Sequence, residues 1–301
     1  MRVVAVVVTA VFVAAVAVGA VVLGTRGGAA ATRLETTYAA GTPRCEITDP
    51  RLPEISGTAE LDGELWMVND KGATLYRVDS ACRVTRSVDL LPQLTDRKVR
   101  VRDVEDLVAS PDGWLWMADT GGNRAPRFAV QLIGWNPTTQ QTKVVVLDYP
   151  SGRHDTEALL VGVDGRAVLV TKEEFGPGTV FVTPGPLVDG NRTALVRQGT
   201  VDLGDPGGAS RDRLVTGAAV SSTGVFAVLR TYRDAYEYDV VDGDIAAALV
   251  GGTPRTVPLP PSRQGEAITY ADAGTAFIAT TEGLPASVDT VRITRTRVEV
   301  P

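Results

Sequence analysis

Apolar and polar residues follow three regimes along this chain. Residues 3–23 are an unbroken apolar run behind Met1 and Arg2, and residues 24 to about 42 are Gly, Ala, Thr and Arg without apolar period. Beyond Cys45 the pattern changes to short apolar stretches separated by turns that contain Gly. This third regime repeats. Ile55-Ser56-Gly57-Thr58, Val104-Glu105-Asp106-Leu107, Thr156-Glu157-Ala158-Leu159, Val215-Thr216-Gly217-Ala218 and Gly265-Glu266-Ala267-Ile268 can be stacked on one another. Each precedes a turn holding Gly63, Gly113, Gly165, Gly224 or Gly274, then a second apolar strand such as Leu65-Trp66-Met67-Val68 or Leu115-Trp116-Met117-Ala118.

The units begin at residues 55, 104, 156, 215 and 265, and a period of about 50 residues is that of a four-stranded propeller blade. The chain therefore predicts an all-β fold, a β-propeller over residues 43–301. Five blades are expected, with six as the alternative if the long third unit or the two termini supply another. Trp66 and Trp116 fall at matched blade positions and read as core. Asp244-Ile245-Ala246-Ala247-Ala248-Leu249, stopped by Gly251-Gly252, reads as a short helix inserted between blades.

The apolar run is long enough to cross a bilayer as a helix, and Arg2 would keep its leading end in the cytoplasm. The expectation is a signal anchor at 1–24, a flexible tether at 25–42 and a propeller held outside the cell membrane. Secretion after cleavage is the alternative, because Val18-Gly19-Ala20 and Ala29-Ala30-Ala31 both offer small residues. In an exported domain Cys45 and Cys82, the two cysteines of the chain, favour a disulfide.

Composition narrows the chemistry. Thirty Lys+Arg against 36 Asp+Glu leave a net charge of -6, which gives no general grip on nucleic acid. A small molecule, glycan or protein of the cell envelope is the expected partner of a monomer that meets the membrane only through residues 3–23. One His and two Cys exclude the usual zinc spacings, so acid–base work falls to carboxylates. No Gly-x-Ser-x-Gly elbow is present, which excludes the hydrolases built on it.

Topology places the candidate site. The first strand of a blade starts, and the second ends, at the same mouth of the ring, so Glu105, Glu157 and Glu266 should converge there near the axis. Returning strands bring Asn69, Asp70, Asp119, Lys172 and Arg230 to that face, and His154 enters it beside Asp155. Three readings remain open: a charge network balanced by Lys172 and Arg230, a Ca²⁺ held by Glu105, Glu157 and Glu266, or a carboxyl with shifted pKa acting as acid or base. No other cofactor is indicated.

Leu115-Trp116-Met117-Ala118-Asp119-Thr120-Gly121-Gly122-Asn123-Arg124 resembles the strand and loop of NHL-type propeller repeats. Ile55-Ser56-Gly57 with Trp66-Met67-Val68-Asn69-Asp70 is similar to the opening of phytase-like, esterase-like and SdiA-regulated-like bacterial propellers. The likeness runs over residues 45–298. It implies the fold, and a range of functions from calcium-dependent phosphate-ester hydrolases, esterases and lactonases to non-enzymatic binders. The dense acidic runs and basic clusters of a phytase site are missing. Two functions stay open: recognition of a ligand at the charged mouth, and metal-assisted hydrolysis of a phosphate ester, ester or lactone there.

Overall fold

Turn residues and β-branched stretches at a fixed spacing fold each repeated unit into one antiparallel sheet. The computed structural model describes residues 32–122, 127–203 and 213–299. The expected membrane anchor or signal at 1–24 lies outside the described residues, and among these no helix is long and apolar enough to cross a membrane.

Two strands, β1 (Thr32–Tyr38) and β2 (Thr42–Ile47), precede the first unit. Blade one is β3 (Ile55–Leu61), β4 (Glu64–Asn69), β5 (Thr74–Val78) and β6 (Val84–Asp89). A short helix α1 (Leu91–Asp96) leads to blade two: β7 (Val104–Ala109), β8 (Leu115–Asp119), β9 (Ala129–Trp135) and β10 (Thr142–Asp148). Blade three is β11 (Thr156–Val161), β12 (Ala167–Thr171), β13 (Gly178–Val182) and β15 (Val196–Val201); the intervening β14 (Arg192–Ala194) pairs in parallel with β10 of blade two. Blade four is β16 (Val215–Val220), β17 (Phe226–Thr231), β18 (Ala235–Asp239) and, after helix α2 (Ile245–Gly251), β19 (Arg255–Val257). Blade five is β20 (Gly265–Ala271), β21 (Ala276–Thr281) and β22 (Ala286–Glu299), completed on its outer side by β2 and β1.

Five sheets result, and the sixth-blade alternative falls away. The extra length of the third unit goes into β14, which extends blade two, and the two ends of the chain combine into blade five. Part of the segment expected to be a tether is strand: Thr-Arg-Leu-Glu-Thr-Thr-Tyr at 32–38 is paired on the outer side of β22. Helix α2 covers the residues that the sequence marks as helical, with the Asp244 side chain accepting the Ala247 N–H as its N-cap, but it lies within blade four, between β18 and β19, and not between blades as expected. Residues 36–295 form one compact unit holding the blades; residues 32–35 and 296–299 belong to a second and are strand.

The cores lie between neighbouring blades. Trp66 of blade one meets Trp135 of blade two edge-on at 5.4 Å, under the Arg86 guanidinium. Trp116 is buried as expected, and it lies so close over Gly134 that a Cβ there would stand 2.9 Å from the indole.

Cys45 and Cys82 form the disulfide that the sequence predicts. Cys45 lies on β2, paired with Val288 of blade five, whereas Cys82 sits in the turn between β5 and β6 of blade one. The bridge therefore crosses the seam where the last blade meets the first.

Candidate functional site

Every innermost strand carries a register shift near its start. The shifts fall between Ile55 and Gly57, Val104 and Asp106, Thr156 and Ala158, Val215 and Gly217, and Gly265 and Ile268. A bulge of this kind leaves one residue unpaired and re-aims its side chain. The residues so released are Ser56, Glu105, Glu157 and Thr216, with Glu266 and Ala267 in blade five. The three Glu expected to be equivalent do share one backbone feature at one mouth.

A second tier surrounds them. Glu54, Asp103 and Asp155 stand immediately before the first strands of blades one, two and three; Asp70, Lys172, Tyr232 and Glu282 follow the second strands of blades one, three, four and five. Backbone bonds zip the two sets together, from Asp70 N to Glu54 O (3.2 Å), Lys172 N to Asp155 O (3.0 Å) and Glu282 N to Gln264 O (3.1 Å).

Oxygens of Glu105, Asp155 and Glu157 all lie within 4.8 Å of one another, and a half-buried group of Glu54, Asp70 and Glu282 meets the same limit. Asp155 thus takes the third place in the sequence-expected Glu105, Glu157, Glu266 set. Glu266 stands outside that trio but within electrostatic reach of Glu157. Lys172 places Nζ 2.6 Å from Glu157 Oε1 and 4.9 Å from the Tyr232 ring. Glu157 Oε2 is buried without a hydrogen-bond partner.

Crowding and burial act on these carboxyls in one direction. Burial, then Glu157 and Asp103, raise Glu105 well above the usual range, and burial followed by Glu157 does the same to Glu266. Burial, then Glu282 and Glu54, push Asp70 up to about 7. Burial also raises Glu157, but its contact with Lys172 pulls the other way. The 2.6 Å geometry and the raised pKa of Lys172 make that pair ionic. Burial and the neighbouring carboxylates hold Glu105 toward its protonated form, and it shares a hydrogen bond with Asp103. Gly121 lies against them, and a Cβ there would displace the carboxyls of Glu105 and Asp103.

The remaining expected site residues have other partners. Asn69 ties down the loop before β3, accepting from Glu54 N and donating to Arg51 O. Asp119 is fully buried and accepts from Asp103 N, Arg102 N, Arg127 and Gln131. Arg230 is buried too; its Nη1 donates to Ala267 O at 2.5 Å, beneath Glu266, and burial lowers its pKa to about 10. His154 packs on Tyr149 and Phe181, with Nε2 2.9 Å from Ser151 O and Nδ1 3.7 Å from Glu173. These contacts turn it away from the trio.

Below the carboxyls the axis is filled. Asp106 follows the bulge of β7 at the position occupied by Gly57, Ala158 and Gly217 in other blades, so only its side chain reaches far inward. Its carboxylate accepts from its own Leu107 N (2.8 Å), from Leu159 N of blade three (2.9 Å) and from Ala218 N of blade four (3.2 Å). Gly57 of blade one closes the remaining side, where a Cβ would stand 2.3 Å from Leu107 N.

The architecture has precedent. A glutaminyl cyclase from Myxococcus xanthus superimposes with a TM-score of 0.51 at 13% identity, over 85% of this chain and 97% of that one. The chain is a β-propeller. A nidogen/laminin complex gives 0.45 at 11% identity over 79% and 84%. No described protein family matches the sequence, and no curated protein matches it. The NHL-type, SdiA-regulated-like and phytase-like likenesses thus stand at the level of fold.

Among the sequence-expected residues, the structure gathers Asp70, Glu105, Glu157, Lys172 and Glu266 at the mouth. Sequence reasoning left Glu54, Asp103 and Asp155 out of the site. Their signal was an acidic residue just ahead of the aligned segment in three consecutive units. Chemically, the mouth offers oxygen donors in excess of cations, which suits a ligand that brings positive charge.

Proposed function

We propose that the protein is a recognition module whose carboxylate mouth binds a small ligand carrying a positively charged nitrogen. The observation that carries this reading is the trio of Glu105, Asp155 and Glu157, joined by Lys172. One ammonium, that of Lys172, already rests between a carboxylate and the Tyr232 ring, the pairing that recognises ammonium groups elsewhere. A second positive charge beside Glu105 would replace the proton that crowding forces on it. The disulfide and the apolar run at 3–23 support display outside the cell membrane.

A metal-assisted hydrolase is the second reading. The donor set fits a hard cation, since three carboxylates within 4.8 Å and an unpartnered Glu157 Oε2 provide the oxygen ligands that Ca²⁺ prefers. Bound there, Ca²⁺ would polarise an ester or phosphate oxygen; Asp155, Glu105 and Glu157 would hold it, and Lys172 would keep Glu157 ionised. That one fold neighbour is a glutaminyl cyclase is compatible with small-molecule chemistry on this scaffold.

Titration calorimetry with butylammonium and with calcium chloride separates the two. Butylammonium binding to the parent, lost in Glu105→Gln, is the expected result. Binding of calcium alone, with ester, phosphate-ester or lactone turnover that depends on it, would install the second reading instead.

A further inference from the structure

The mouth opposite the carboxylates opens into a cavity of about 600 Å³, where the innermost strands of all five blades end. Asp106 and the packed Gly57 lie between it and the acidic tier. Its size falls within the range of small-molecule sites. The wall is made largely of small neutral side chains, including Val108, Ala109, Val161 and Ala219, with the hydroxyls of Ser221 and Thr269 among them.

Charge distinguishes this end from the other. Arg44 and Glu60 both line one side of the cavity, where their opposite charges offset one another, and burial raises the Glu60 pKa. Asp62 and Asp272 lie on exposed turns at the rim, where water screens them. The rim beside Glu60 is also held in an unusual conformation. Asp272 and Ala273 both adopt the left-handed region, at φ 51° and 54°, where residues other than Gly are uncommon. Strain of this kind gathers at ligand clamps.

We infer that this second mouth is a binding site for an uncharged small molecule with an apolar body and a hydrogen-bonding group that meets Glu60. The site is independent of the carboxylate mouth, and its existence does not depend on the function proposed there.

Fluorescence titration of the full chain with Prodan, an uncharged naphthalene dye, tests the inference. The expected result is saturable one-to-one binding with a blue-shifted emission. Filling the wall with Ala109→Trp, or the exposed rim with Ser222→Trp, should weaken it by about tenfold or more. Phe175→Ser, which removes the most exposed aromatic ring at the opposite end (87% exposed), should leave it unchanged. Two variants guard against misfolding, and far-UV circular dichroism checks both. Absence of saturable binding, or loss in Phe175→Ser alone, would overturn the site. Equally tight binding of the anionic dye anilinonaphthalene sulfonate would overturn its neutral character.

Discussion

Single carboxyls in this molecule differ by what surrounds them. Asp70 holds its proton more tightly in the folded chain than in the unfolded one. Its contribution to stability is therefore complete below the unfolded value near 4 and is lost as pH rises through about 7. Asp70→Asn should accordingly flatten the fall in melting temperature between about pH 4 and pH 7, read by calorimetry. Glu157 behaves differently because its partner is a buried ammonium. Glu157→Gln takes away the direct ion-pair partner of Lys172, leaving it Tyr232 and the more distant acids, and should cost about 3 kcal/mol in denaturant unfolding, with Lys172→Met in the same chain restoring most of it. Asp106 belongs to neither case. Asp106→Ala would orphan three buried N–H groups from three blades, an expected loss of about 3–9 kcal/mol at roughly 1–3 kcal/mol each. The convergence of Glu105, Glu157 and Glu266 on one mouth was legible because repeats put like residues in like places. The plugging role of Asp106 was not, since nothing in its own unit marks the amides of Leu159 and Ala218 as its donors. The loop contacts of Asn69 and Asp119 were hidden for a related reason: a polar residue at a strand end can serve either a ligand or the loop beside it.

At the scale of elements, the bulge is the device that makes the mouth. Without the register shift, strict alternation along β7 and β11 would send Glu105 and Glu157 toward a neighbouring blade. The sequence displays the repeated strands clearly, but a bulge has no signature of its own, and the acidic residues ahead of three of these strands lie just outside the repeated segment. Strand β14 was equally hidden, because three residues pairing in parallel with the preceding blade leave no periodic trace. Asp189 anchors that addition, accepting from Val144 N at 2.8 Å and Arg97 at 2.6 Å. Asp189→Ala should loosen it locally: amide exchange at Val144 and Val146 is expected to quicken, while global stability falls by only about 1 kcal/mol.

For the molecule as a whole, ring closure is the central problem, because an open propeller exposes sheet edges. Strand β2 closes the ring by pairing with β22, and the Cys45–Cys82 bridge fastens the joint. With its ends 37 positions apart in sequence, the bridge should contribute about 4 kcal/mol on the chain-entropy account. Cys82→Ser, or full reduction, should lower the unfolding midpoint accordingly, whereas a reductant should leave the variant's midpoint unmoved. Five blades could be read from the spacing of the repeats, and the disulfide from a lone pair of cysteines in a domain expected to be exported. Which blade the leading strand joins could not, since β2 and β22 stand at opposite ends of the chain.

That closing strand also sets an order of events during biosynthesis. Polypeptides emerge from the ribosome leading end first, so β2 leaves the tunnel some 240 residues before its partner in β22 and must wait with its backbone unpaired. Blades one to four can assemble meanwhile as local hairpins. The Cys45 thiol meets Cys82 early, so oxidation can hold the waiting strand against blade one before blade five exists. The bridge then serves the nascent chain as a bookmark, keeping the place that the last strand to be made will fill.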